Sequence, residues 1–135
     1  MVKTNKITVG DVYSFDEDGI SVISQVGACG DCGIFKNTGR PLDTILRNPP
    51  LFRIIIVDRD LRKIWKKVGN FELSPHLEEH QTYAQLEPPD SWYLLDLCDV
   101  DSRIPTSEDV GIKHERFAFW ATHHIVARLH GVKIF

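Results

Sequence analysis

An Asp18-Gly19 pair set between two alternating apolar runs constrains the fold of this chain more than any other local feature. Val9 to Phe15 is rich in β-branched and aromatic residues. From Ile20 the alternation resumes, with Ile20, Val22, Ser24, Val26 and Ala28 on one face and Ser21, Ile23, Gln25 and Gly27 on the other. Asp-Gly tolerates the backbone angles of a tight antiparallel turn, so the pattern predicts a β-hairpin over Val9–Ala28. A sheet face that carries Val and Ile needs a cover. The sequence offers one near its other end: a helix from His114 to His130, with Ala118, Ala121, Ile125 and Leu129 as its apolar stripe and Gly131 as its stop. The expectation is an α+β fold. An antiparallel sheet, made of the N-terminal hairpin plus central strands, packs against a C-terminal helix in one domain over residues 1–135.

The middle of the chain supplies the other strands. Ala28 to Gly33 reads as a glycine-rich turn, and Ile34-Phe35 begins a third strand. Asn48-Pro49-Pro50 forces extended backbone ahead of Leu51–Val57, which reads as a buried strand. Leu61, Ile64, Trp65 and Val68 fall at helical spacing and predict a short helix ended by Gly69-Asn70, the alternative being a turn and then a strand through Trp65. Ser74-Pro75 is suited to start a helical turn, Trp92–Leu97 reads as a strand, and Val132–Phe135 adds a last edge strand. A chain of this length buries roughly two-thirds of its unfolded surface, so it has no need of a disulfide framework, and three cysteines are an odd number for one. Met1–Gly10 lacks a basic-then-apolar leader and no apolar run approaches membrane-spanning length, so the expected location is the cytoplasm.

Charge is sorted by segment. Lys36–Lys67 holds nine basic residues and three acidic ones, whereas Glu72–Asp109 holds ten acidic residues and one basic, Arg103. The formal net charge of -3 conceals this. The acidic segment includes Trp92, Tyr93, Leu94 and Leu95, so it reads as folded structure with an anionic face and not as a solvated tail. The simplest alternative is that the two segments neutralise each other inside the fold. An anionic face attracts a basic partner and speeds the encounter.

Motifs with chemical potential are short. Cys29-Gly30-Asp31-Cys32 has the spacing of a zinc grip or a redox couple, but no second such pair follows. Cys98 and a histidine complete a ligand set only if the fold brings them close. His76-Leu77-Glu78-Glu79-His80 matches the inverted zinc-peptidase pattern, which requires a helix to align both histidines, with Glu79 as general base. A small zinc protein or metal-dependent hydrolase built on Cys29, Cys32, Cys98, His76 and His80 is therefore one alternative reading. An adaptor for RNA or a peptide built on the basic 36–67 segment is another. The chain holds no glycine-rich phosphate loop and no nucleophile elbow. The main expectation is a binding protein that catalyses nothing and needs no metal or cofactor.

Three stretches together resemble a known family. Lys6-Ile7-Thr8-Val9-Gly10-Asp11-Val12-Tyr13 precedes the Asp-Gly turn. Phe52-Arg53-Ile54-Ile55-Ile56-Val57 is followed by Trp65-Lys66-Lys67-Val68-Gly69 and Leu73. Ile112-Lys113-His114-Glu115-Arg116 leads to Trp120-Ala121-Thr122 and Ala127-Arg128-Leu129. Their order and spacing, from Lys6 to Leu129, resemble the immunity proteins of bacterial polymorphic toxin systems, immunity family twenty-six. The Gly-Arg pair usual in that family after the turn is missing from Ile20–Val26, and the Cys29–Cys32 turn is not part of the pattern. The resemblance implies a cytoplasmic α+β protein that neutralises one cognate toxin domain, in a competition between neighbouring bacteria where many toxins are nucleases. Nuclease clefts are basic. The expected partner surface is accordingly a carboxylate hook of Glu17, Asp18, Asp90, Asp96, Asp99 and Asp101, with Trp120 as an aromatic anchor because it lies off the helix's apolar stripe, the alternative being that it packs against a neighbouring strand. Trp92 is a second candidate anchor, for which a place in the core is the favoured reading. No membrane and no direct nucleic-acid contact are expected.

Overall fold

A computed structural model describes residues 6–17, 19–87, 91–98, 101–110 and 114–131, without the side chains of 86, 87, 91, 101 and 110. The predicted hairpin is present as β1 (Asp11–Glu17) and β2 (Ile20–Val26), in register from Val12↔Gln25 to Glu17↔Ile20, with Gly19 at φ 75°. Then follow β3 (Cys32–Lys36), α1 (Leu42–Arg47), β4 (Phe52–Ile56), α2 (Asp58–Lys63) and β5 (Lys66–Asn70). A 3-10 turn at Pro75–Leu77 leads to β6 (Thr82–Glu87), β7 (Ser91–Asp96), β8 (Asp101–Arg103) and α3 (Ser107–Val110). β9 (Glu115–Arg116), β10 (Phe119–Trp120) and α4 (Thr122–Leu129) complete the described chain. One sheet runs β10-β4-β3-β2-β1-β5 and a second runs β8-β7-β6-β9. The fold is α+β, with a mainly antiparallel first sheet and a C-terminal helix, as the sequence pattern predicts.

The first sheet is buried on both faces. Tyr13, Phe15, Val22, Val26, Ile34, Ile54 and Ile56 share a cluster with Leu61, Trp65, Trp120 and Ile125. Val12, Ile23 and Phe35, pointing the other way, meet Ile45, Leu46 and Leu77. The period-two alternation of a strand sorts neighbours such as Val12 and Tyr13 into different clusters. That is why both faces of β2 carry an apolar residue. A polar one, Gln25, survives in the second face because it is fully satisfied. Its Nε2 donates to the carbonyls of Glu72 at 3.0 Å and Phe71 at 3.3 Å, and its Oε1 accepts the Ser74 N–H at 2.9 Å.

β1 is also where the sequence's Gly10-Asp11 pair acts. Gly10 has φ 88°, and a Cβ there would lie 2.6 Å from the Phe71 carbonyl oxygen, so only glycine fits. Asp11 accepts from the Thr8 N–H at 2.9 Å and from Asn70 Nδ2 at 3.0 Å, which ties the start of β1 to the end of β5.

Two predicted helices come out differently. The Leu61–Val68 helix is instead α2 ending at Lys63, and the alternative strand is present only after Trp65, as β5 from Lys66. Pairing with β1 (Tyr13↔Lys67, Ser14↔Lys66) satisfies backbone groups that a continued helix would satisfy internally. Trp65 stays in the core, stacked near Phe15 at 5.4 Å between ring centroids. The His114–His130 helix shrinks to α4. Glu115–Arg116 pairs with β6, and Phe119–Trp120 runs parallel to Ile55–Ile56 of β4. α4 begins where the Asp60 carboxylate accepts both the N–H and the hydroxyl of Thr122, at 2.7 and 2.9 Å, in place of a local capping side chain. Gly131, at φ 87°, follows its end as expected. The edge strand predicted for Val132–Phe135 lies outside the described residues.

The cysteine expectation needs correction too. Cys29 and Cys98, 69 residues apart, are joined as a disulfide with their Cα atoms 4.6 Å apart. Cys32 is buried and free. No helix among the described residues is long and apolar enough to cross a membrane.

Candidate functional site

The carboxylate hook is only partly placed. Glu17, at the end of β1, is exposed. Asp18, Asp90 and Asp99 lie outside the described residues, as does the side chain of Asp101. Asp96 is turned onto protein: its Oδ2 is 3.0 Å from His80 Nδ1, and its Oδ1 accepts the Cys98 N–H at 2.9 Å. Within the acidic segment the described exposed carboxylates are Glu72, Glu78, Glu79 and Glu108, which the sequence reading did not choose. Three of them lie in irregular backbone around the 3-10 turn, where no periodicity announces exposure.

Trp120 is not a surface anchor. It is 2% exposed, because Phe119–Trp120 is a strand of the first sheet and its side chain enters the main core cluster. A helical reading of this stretch turned it off the apolar stripe and misplaced it. Trp92 is half-buried on β7, 6.1 Å from the His114 ring between centroids.

Several other carboxylates serve the interior. Asp31 receives Arg53 Nε at 3.1 Å and the Tyr83 hydroxyl at 2.9 Å, all buried. Asp11 lies 3.5 Å from Lys67 Nζ. Burial opposes the Asp11 charge, but hydrogen bonds from Asn70 and Thr8, with Lys67 nearby, outweigh it and hold the carboxyl below its ordinary range. Arg103 and the Thr106 N–H hold Asp109 well below that range, with Arg103 contributing bonds of 2.7 and 3.1 Å. The ion-paired cations of the basic segment, Arg53 and Lys67, thus take Asp31 and Asp11, carboxylates of the first 35 residues. Arg53 also donates to the Glu79 carbonyl at 2.8 Å, so it meets the 72–109 segment through backbone and not through a carboxylate.

The metal-binding alternatives are sorted by the fold. The inverted zinc-peptidase pattern is not realised, because Pro75–Leu77 is a single 3-10 turn and the two histidines part: His76 Nε2 is 3.0 Å from the Arg47 carbonyl, whereas His80 faces Asp96. The C-x-x-C pair also separates. The Cys32 thiol is pushed up to about 12, by burial first and by Asp31 second, and lies in the core cluster. Cys29, His80 and Cys98 do come together, with one potential ligand atom from each inside a span of 4.8 Å. The β6–β7 register, Thr82↔Asp96, is what brings His80 beside Asp96 and Cys98, and the turn after β2 supplies Cys29.

No family model, curated protein or solved structure matches this chain.

Proposed function

We propose that the chain is an immunity-type binding protein that neutralises a cognate bacterial toxin domain stoichiometrically, through charge complementarity and without turnover. The observation that carries this reading is the fate of the charge segments. Arg53 and Lys67 are paired with Asp31 and Asp11, so the basic segment's internal ion pairs leave Glu72, Glu78, Glu79 and Glu108 exposed. Together with Glu17 they are carboxylates available to a basic surface such as a nuclease cleft. A second support is structural. Of the two most specific pieces of the immunity-family resemblance, Gly10-Asp11 leads into β1 and Lys66–Gly69 of Trp65…Gly69 lies on the neighbouring β5, with Lys67 Nζ 3.5 Å from Asp11.

The test is a rescue. A toxin domain encoded beside this chain's gene should arrest a bacterial host, and co-expression of this chain should restore growth. Binding of the purified pair should weaken steeply as salt rises. A host that stays arrested overturns the immunity reading, and an affinity unchanged from low to high ionic strength overturns the charge-complementary mechanism.

A further inference from the structure

We infer that Cys29, Cys98 and His80 form a redox-gated zinc site. Reduced, the two thiolates and the imidazole hold one zinc ion; oxidised, the same sulfurs close into the disulfide and the ion leaves. The donors are the starting point. Two thiolates and an imidazole are a ligand set that suits zinc, and three protein ligands leave the fourth tetrahedral position to water. Cys29, His80 and Cys98 already lie within 4.8 Å of one another. Bound to zinc, such donor atoms stand roughly 3.5–4 Å apart, so the loops need move little beyond the parting of the two sulfurs.

Asp96 is the observation that a disulfide alone does not explain. Its Oδ2 holds His80 Nδ1 at 3.0 Å and its Oδ1 holds the Cys98 backbone N–H at 2.9 Å. One carboxylate therefore orients two of the three ligands. A carboxylate on a ring nitrogen fixes the tautomer and holds the ring in place, the usual arrangement behind a ligating histidine. Access also fits: Cys29 and Cys98 are half-buried and His80 is exposed, unlike the sealed Cys32. The set does not follow the C-x-x-C motif, since its cysteines lie 69 residues apart.

The gating step balances with a peroxide as oxidant. The two zinc-bound thiolates surrender two electrons and form one S–S bond. The O–O bond breaks, and with two protons taken up, hydrogen peroxide leaves as two waters while zinc is released. A dithiol reductant reverses the step.

The test uses the full chain without a histidine tag, reduced, with its free thiols counted. Titration with cobalt should give an equimolar complex with a thiolate-to-cobalt charge-transfer band, and zinc should displace the cobalt. Asp96→Asn should weaken the metal by roughly 10- to 100-fold. Cys98→Ser should abolish the band and Cys32→Ala should keep it. Hydrogen peroxide should remove the band from the wild-type chain and link the Cys29 and Cys98 peptides, a readout that needs no variant to fold. A reduced chain that takes up neither metal, or whose metal survives closure of the disulfide, overturns the proposal. So does a reduced chain that unfolds and is not restored by zinc.

Discussion

Arg53 grips Asp31 in the interior, with Nε 3.1 Å and Nη2 2.9 Å from the same carboxylate oxygen. Tyr83 adds its hydroxyl to that oxygen, and Arg53 Nη1 reaches the Glu79 carbonyl at 2.8 Å. Burial, and the Asp31 carboxylate beside it, push the Tyr83 phenol far up, so it remains a donor. Since Arg53 lies on β4 and Tyr83 on β6, this cluster fastens the two sheets together. Removing one partner of a buried pair strands the other's charge. Arg53→Met should lower the unfolding free energy in urea by roughly 3–5 kcal/mol. Tyr83→Phe, which removes one bond to a charged acceptor, should lower it by roughly 1.5–3 kcal/mol. A larger loss from Tyr83→Phe than from Arg53→Met would show that the phenol holds the sheets.

Acid should loosen the join between β1 and β5. Asp11 has a folded-state pKa below its unfolded value, so its carboxylate stabilises the fold above the unfolded value, and that contribution disappears as pH falls through the folded one. Asp109 behaves in the same sense. Melting temperature should therefore fall on the acid side of the ordinary carboxylate range, and Asp11→Asn should flatten that limb. An unchanged acid limb in Asp11→Asn would assign the effect to other groups.

Trp65 should matter to stability. It is 4% exposed, and its Nε1 donates to Thr122 Oγ1 at 3.0 Å. Trp65→Ala should cost roughly 3–5 kcal/mol, read as a lower melting temperature. Retained stability with lost partner binding would move Trp65 out of the core and into an interface.

Gln25 predicts a cost that a hydrophobicity scale would assign the wrong sign. It is fully buried, and its amide serves the segment from Phe71 to Ser74 at both ends. Gln25→Leu keeps the volume but leaves the Ser74 N–H without its acceptor, a loss of roughly 1–3 kcal/mol. Equal or greater stability in chemical denaturation would mean that the 71–74 segment finds other donors and acceptors.

What could be read in advance depended on whether the signal was local. The Asp18-Gly19 turn, the β2 alternation and the Leu51–Val57 run each carry their own periodicity, and β1, β2 and β4 formed where expected. Phe119–Trp120 carries none. It becomes a strand because β4 lies beside it, a pairing more than 60 residues distant in sequence, and its helical surroundings hid that. The zinc alternative named Cys29, Cys98 and His80 together with Cys32 and His76, but which of the five meet could not be read for the same reason. The cluster's cysteines are not the adjacent pair that the C-x-x-C spacing advertises, and it is assembled by the β6–β7 register together with the turn after β2. Carboxylates in the acidic segment showed their charge in the sequence, but not which of them face inward, since that is decided by partners such as His80 and Arg103.

β5 lies at the margin of the six-stranded sheet, where a flat apolar strand would invite a second molecule to add on. Here the margin carries exposed Lys66 and Lys67, and its ladder slips register between Val12 and Tyr13, so it is charged and bent at once. At the opposite margin, β10 is only two residues long. Such edges discourage copies of this chain from adding strand to strand along the six-stranded sheet.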